Sequence, residues 1–381
     1  MRRAAKYGLV LLIVNSAYLA AFAQASIFYE ANVLLHLGLG LALAVAAIGW
    51  LHRYPRECGA FIASAAAAMY LVFRGNLVEH RWALALHILL ALAALMIIGL
   101  RYRIAFVGVA CVLAGLALAV VNRPHQRIEN PPTAPLSMDE EGAGAKSPFA
   151  PSSAQTNTGN IIPSNFFMDS EACGQCHKDI YEQWKSSMHH FASFNNQFYR
   201  KSIEYMQDVA GTRPSKWCAG CHDHAVFFNG RFDRPIREQI DTPEAQAGLG
   251  CMSCHAIVHV GSSMGNADFR VEYPPLHELA SSHNRYIRAL DYFLTYLNPK
   301  PHKRTFLKPF MADQSAEFCA ACHKVHLDFP VNNYRWLRGF NDYDNWQASG
   351  VSGQGARSFY YPAKSQTCAD CHMPLTPSRD P

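Results

Sequence analysis

The distribution of apolar and polar positions divides the chain into three stretches. Residues 7–121 are overwhelmingly Leu, Ala, Val, Ile, Gly and Phe, residues 123–165 are rich in Pro, Ser, Ala, Asn and Thr, and residues 166–381 mix the two with many aromatics, Cys and His. Five apolar runs can be drawn in the first stretch, near 7–25, 32–50, 59–73, 83–100 and 104–122. A helix needs about 20 such residues to cross the hydrocarbon layer. Most of the runs reach that length, and the third needs its flanks to snorkel. The pattern predicts a transmembrane helix bundle over 1–122. Residues 123–165 show little apolar periodicity and read as a disordered Pro/Ser-rich linker.

Charge gives the bundle a direction. Arg2, Arg3 and Lys6, then His52-Arg53-Tyr54-Pro55-Arg56, then Arg101-Tyr102-Arg103 all fall on one face if the N-terminus is inside. That is the basic face expected toward the cytoplasm, with Arg74 and Arg81 as mild exceptions on the other side. An odd number of crossings then delivers residue 123 outside. Residues 1–23 also fit a signal peptide, with Ala21-Phe22-Ala23 as a small-residue cleavage site. Cleavage would leave four helices and the same outward C-terminus; an uncleaved helix is the reading adopted. The formal net charge of +5 is modest, and nothing in it points to nucleic acid.

Candidate chemistry lies in the third stretch. Five times it spells Cys-x-x-Cys-His: Cys173–Cys176–His177, Cys218–Cys221–His222, Cys251–Cys254–His255, Cys319–Cys322–His323 and Cys368–Cys371–His372. This pentapeptide is the c-type haem attachment signal. Thiols at i and i+3 on one helical turn can form thioethers to the two haem vinyl groups, and the adjacent His meets the iron as its proximal ligand. Of 12 Cys only Cys58 and Cys111 stand outside these motifs, both in apolar runs. Covalent haem is attached on the outer side of an energy-transducing membrane, which agrees with the direction set by charge. The fold class expected is mainly α: the N-terminal transmembrane bundle followed, over 166–381, by a haem-packed helical and loop pentahaem cytochrome c domain. Helices are expected at 178–209, 275–298 and 332–348, and a hairpin around Asn229-Gly230.

Each iron also needs a sixth ligand or an open position. Outside the motifs the domain has His189, His190, His224, His259, His277, His283, His302 and His326. His224 and His326 stand too near a proximal His to reach round their own porphyrin, so any iron they meet is a neighbour's. The opening Cys173-Gly-Gln-Cys-His-Lys-Asp-Ile-Tyr-Glu-Gln-Trp-Lys-Ser-Ser-Met-His189 resembles the cytochrome c-554 type of multihaem cytochrome, a family related to hydroxylamine oxidoreductase and the octahaem oxyanion reductases. Cys371-His372-Met373-Pro374 resembles an ending common among these proteins. The resemblance covers the haem domain and not the apolar runs, which soluble members lack. It implies a mostly helical fold with haems in stacked parallel and perpendicular pairs, and it makes His189, in Ser-x-His, a distal ligand in preference to His190. By resemblance and spacing together the expected distal ligands are His189, His259, His283, His302 and His326.

Two histidines in the apolar runs, His36 and His87, should sit at similar shallow depth on the outer side. Ionisable groups within a span are costly and often functional. A quinol site, a b-type haem held by the pair, and two interfacial histidines bonded to backbone all fit. The function expected is electron transfer between a membrane donor, with quinol one candidate, and a periplasmic redox partner protein, as one subunit of a larger complex. Localisation would be the cytoplasmic membrane with the haems outside. The alternative is an oxidoreductase acting on a small nitrogen or sulfur compound at a five-coordinate haem, with Arg200, Arg285, Arg304, Arg335 and Tyr360 of suitable type beside it. Cys-x-x-Cys-Lys, one marker of nitrite reductases, is absent from the sequence.

Overall fold

The computed structural model describes residues 3–102, 108, 111, 114–119, 128–274, 276–308, 310–311, 315–333, 336–355, 359–378 and 380. Two compact units emerge, one within residues 1–125 and 274–306, the other within 126–273 and 307–380. Four helices of the first unit are long and apolar enough to cross a membrane: α1 (Arg3–Ala21), α2 (Ile27–Trp50), α3 (Pro55–Arg74) and α4 (Arg81–Tyr102). The expected fifth crossing, over 104–122, lies mostly outside the described residues.

Local chemistry sets the helix ends. The Ser26 hydroxyl accepts from the Tyr29 N–H (3.2 Å) and starts α2 five residues before the apolar run does. Pro55 occupies the first turn of α3, where its missing N–H costs nothing. Gly75 ends that helix at φ 78°, where a Cβ would run into the Tyr296 ring. Inside the bundle the Asn15 amide donates to Asn32 Oδ1 (2.8 Å) and joins α1 to α2. Such bonds between spans contribute about 1 kcal/mol each.

Residues 274–306 were expected within the haem domain, as one helix over 275–298. They belong instead to the unit of apolar helices, and the helix is broken. His277–Ala280 ends at Ser281, and Asn284 caps a new helix, Arg285–Leu297, by accepting from the Tyr286 N–H (2.9 Å). Leu294 packs on Tyr29 and Val33 of α2. The Asn298 amide donates to the Tyr29 hydroxyl (3.0 Å), and the Asn76 N–H to the Tyr296 carbonyl (2.9 Å).

The second unit combines short helices with two small sheets that the sequence pattern does not announce. In one, β1 (Gln155–Thr156) runs parallel to β3 (Phe269–Val271), and β2 (Ile257–Val260) runs antiparallel to β3 on its other side. In the other, β4 (Lys324–Leu327) pairs antiparallel with β5 (Leu337–Asn341). Strand β5 replaces the first half of the helix expected at 332–348. The helix expected at 178–209 also divides, into Lys178–Lys185 and Gln197–Ala210, the second capped by Asn196. No hairpin forms at Asn229-Gly230. Gly230, at φ 79°, links a helical turn at His224–Phe227 to a 3-10 turn at Arg231–Asp233.

The segment expected to be a disordered linker is, from residue 128 onward, part of this unit. Met138, Phe149 and Ala154 are buried, and β1 is one of its strands. Phe149 sits 5.2 Å from Phe228 within an aromatic core that also holds Phe166, Phe167, Phe227, Phe232 and Phe269. Buried Lys216 donates to the Pro148 carbonyl (2.9 Å), and Met138 N–H to the Phe329 carbonyl (2.9 Å). Isolated anchors of this kind leave no periodic trace. Phe149→Ala is therefore expected to destabilise the unit by about 3–5 kcal/mol, measured as a lower denaturation midpoint of the full chain. An unchanged midpoint would restore the loose tether.

Candidate functional site

In the second unit Cys251–His255 and Cys368–His372 each form a one-turn helix, Cys218–His222 is the last turn of Thr212–His222, and Cys173–His177 and Cys319–His323 begin in the last residues of a helix and continue as a turn. The His177 N–H donates to the Cys173 carbonyl (2.9 Å) and His323 N–H to the Cys319 carbonyl (2.8 Å), so the histidine follows directly on the turn that carries both thiols. The turns gather. The Cys173 thiol lies beside that of Cys251, Cys221 beside Cys322 and Cys319 beside Cys368. First motif therefore meets third, second meets fourth, and fourth meets fifth. Burial pushes the thiols of Cys218, Cys254 and Cys319 up to about 12. Reactive thiols sit in exposed, electropositive places; these are enclosed, as suits attachment points of an apolar macrocycle.

The first motif is held by the helix that follows it. Gly174 lies under the Tyr181 ring, which a Cβ would strike. Trp184 donates from its indole to the Leu249 carbonyl (2.7 Å), and the Leu249 N–H donates to the His189 carbonyl (2.9 Å). The Tyr-Trp-Ser-x-His stretch is thus bonded to the residues that enter the third motif.

His189 faces His323 of the fourth motif, with ring centres 6.2 Å apart and planes at 83°. Nδ1 of His323 lies 3.2 Å from Asp342 Oδ2, and Nδ1 of His222 lies 2.6 Å from the Ala192 carbonyl. Both acceptors keep the proton on Nδ1 and leave Nε2 bare, the arrangement of a metal-ligating imidazole. The Tyr199 ring stacks on His222 at 4.3 Å and its hydroxyl donates to buried Asp223, whose carboxyl burial pushes up to about 7. Tyr199 and Asp342 carry no sequence signal for these contacts, since each reaches its histidine only through the fold.

The remaining candidates have other surroundings. His326 Nε2 lies 2.6 Å from Glu141 Oε1 and 3.0 Å from the Asn266 amide, so meeting an iron would require that nitrogen to leave Glu141. His259 is half-buried on β2 beside Arg270, and burial lowers its pKa first, Arg270 second. His283 and His302 are exposed and lie in the first unit. His224 is buried among Phe167, Phe228 and Phe269, with Nε2 on the Gly220 carbonyl (2.9 Å). His190 places Nδ1 on the Lys185 carbonyl (2.9 Å) against Trp184. Among the arginines, Arg200 is paired with Glu204 (2.8 Å), Arg285 covers Tyr286 and Arg304 is exposed. Tyr360 is exposed, and Arg335 lies outside the described residues. In the first unit His36 and His87 are brought together, ring centres 6.3 Å apart.

Residues 172–256 match the family model described as cytochrome c554 and c-prime. The match spans the first three motifs and His189, and over it the chain is cytochrome c554-like. Covalently bound haem c and a haem-based redox or electron-transfer role follow from that likeness. No curated protein matches the chain, and no solved structure does. Replacing Cys173 and Cys176 by Ser should lower the mass of the purified polypeptide by one covalent haem. An unchanged mass would remove the first motif from the set.

Proposed function

We propose that the chain is a membrane-anchored pentahaem cytochrome c that moves electrons between a donor in the bilayer, of the quinol class, and a redox partner protein outside it. The observation that carries this is the pair His189 and His323, perpendicular and 6.2 Å apart. Two imidazoles so placed would hold one haem iron between them. When bound, haem supplies a one-electron couple between ferric and ferrous iron. What the residues contribute is fixity. Asp342 holds the His323 ring, Leu249 and Trp184 hold the His189 backbone, and a six-coordinate iron between them would change little in geometry on reduction.

The clustering of the five motifs supports a chain of neighbouring haems in place of isolated ones. Within the second unit, His259 and His326 remain proposed partners for two of the other irons, with His326 dependent on release from Glu141. Basic residues beside α1, between α2 and α3 and at the end of α4 support a cytoplasmic face there, and the fifth crossing expected over 104–122 would carry the second unit to the periplasmic side.

Electron paramagnetic resonance of the oxidised full chain in detergent, with covalent haem counted alongside, tests this reading. Low-spin ferric signals alone are expected, with five covalent haems per chain. A stoichiometric high-spin signal would mean an open iron and an enzyme acting on a small nitrogen or sulfur species. His189→Gly should convert one haem from low to high spin, and added imidazole should reverse it. An unchanged low-spin spectrum in that variant would remove His189 from the ligand set.

A further inference from the structure

Among the histidines that the covalent haems leave unused are His36 on α2 and His87 on α4. Their ring centres lie 6.3 Å apart and their planes cross at 88°. Two imidazoles on opposite sides of one iron, with each metal–nitrogen bond about 2 Å, put their ring centres about 6 Å apart. The same distance and crossing recur at His189 and His323, where an attachment motif supplies one ring.

Hydrogen bonding fixes the tautomer of both rings. The Ser64 carbonyl accepts from His87 Nδ1 (2.9 Å), while the Ser64 hydroxyl donates to the His87 carbonyl (3.0 Å). The Ser16 hydroxyl gives its proton to the Leu12 carbonyl (2.7 Å) and so accepts from His36 Nδ1 (3.3 Å). Both Nε2 atoms are left without a proton and, among the described residues, without a hydrogen-bond partner. Each of the four helices supplies one member of the set: a ligand from α2 and α4, a serine from α1 and α3. An imidazole held by a protein acceptor at one nitrogen is what a ligated metal requires at the other.

The histidines line a cavity of about 590 Å³, within the roughly 300–1,000 Å³ of cofactor pockets. Its walls are mostly Leu and Ala. Gly40, one turn beyond His36, has nothing within 4 Å of the place a Cβ would take, and Ala91 stands in the same relation to His87. Flat space beside each ring is therefore clear. Asn76, Asn298 and Lys300 also line the cavity and offer donors to carboxylates. An apolar slot, two axial nitrogens and a few carboxylate partners match a planar macrocycle bearing two propionates. Cysteine is missing from the described lining, so attachment there would be non-covalent.

We propose that His36 and His87 ligate a b-type haem within the helix bundle, its propionates toward Asn76, Asn298 and Lys300. Its role, taking electrons singly from the bilayer donor, rests on the function proposed above; the site does not.

Acidified acetone extracts non-covalent haem and leaves thioether-bound haem on the polypeptide. Applied to the detergent-purified full chain, with pyridine haemochrome spectra of both fractions, it should release one b-type haem per chain. His36→Leu and His87→Leu should each abolish the extractable fraction and leave the covalent fraction unchanged, which reports that the rest of the chain has matured. Gly40→Leu keeps both histidines, fills the slot and should lose the extractable haem as well. No extractable haem in the wild-type chain, stoichiometric quinone in its place, or full retention in both histidine variants overturns the proposal. A covalent count other than five would overturn the pentahaem reading and leave this one standing.

Discussion

An imidazole can serve a metal only if the protein decides which nitrogen keeps the proton, and that constraint organises both units. At His323, His222 and His87 the decision is made by an acceptor lodged against Nδ1: Asp342, the Ala192 carbonyl and the Ser64 carbonyl. Much of the surrounding fold exists to deliver those acceptors. Strand β5 runs straight into the helix that carries Asp342, and α3 packs along α4 so that Ser64 arrives beside His87. Where the acceptor meets Nε2 instead, as at His224, the ring is committed to the protein.

Four of the apolar runs were legible in the sequence as helices, because a run long enough to span is a local pattern with a local cause. The family match over 172–256 falls on the same residues that carry the resemblance. Legibility stopped where structure depends on single long-range contacts. Met138 and Phe149 lie in a Pro/Ser-rich stretch without periodicity, and each is buried against residues far along the chain. Both sheets are missed for the same reason, since strands of two to five residues hold too little pattern to be read alone.

The segment 274–306 shows a different limit. Its amphipathic spacing correctly announced a helix, yet amphipathicity says only that one face is covered, not what covers it. Leu294, Tyr296 and Asn298 find Tyr29, Asn76 and α2, and two expected haem ligands, His283 and His302, go with them. Only a long-range contact could have separated this segment from the haem domain in advance.

The acceptors at Nδ1 also differ in strength. A carboxylate pulls the proton of His323 further than a peptide carbonyl pulls those of His222 and His87, and a serine hydroxyl pulls least, at His36. The further that proton is drawn, the more electron density the ring presents to an iron, and the more the ferric state is favoured. An iron behind His323 is thereby biased toward a lower reduction potential than one behind His36. Under the proposed ligation, the side chains that orient the rings would also grade the potentials of the irons behind them.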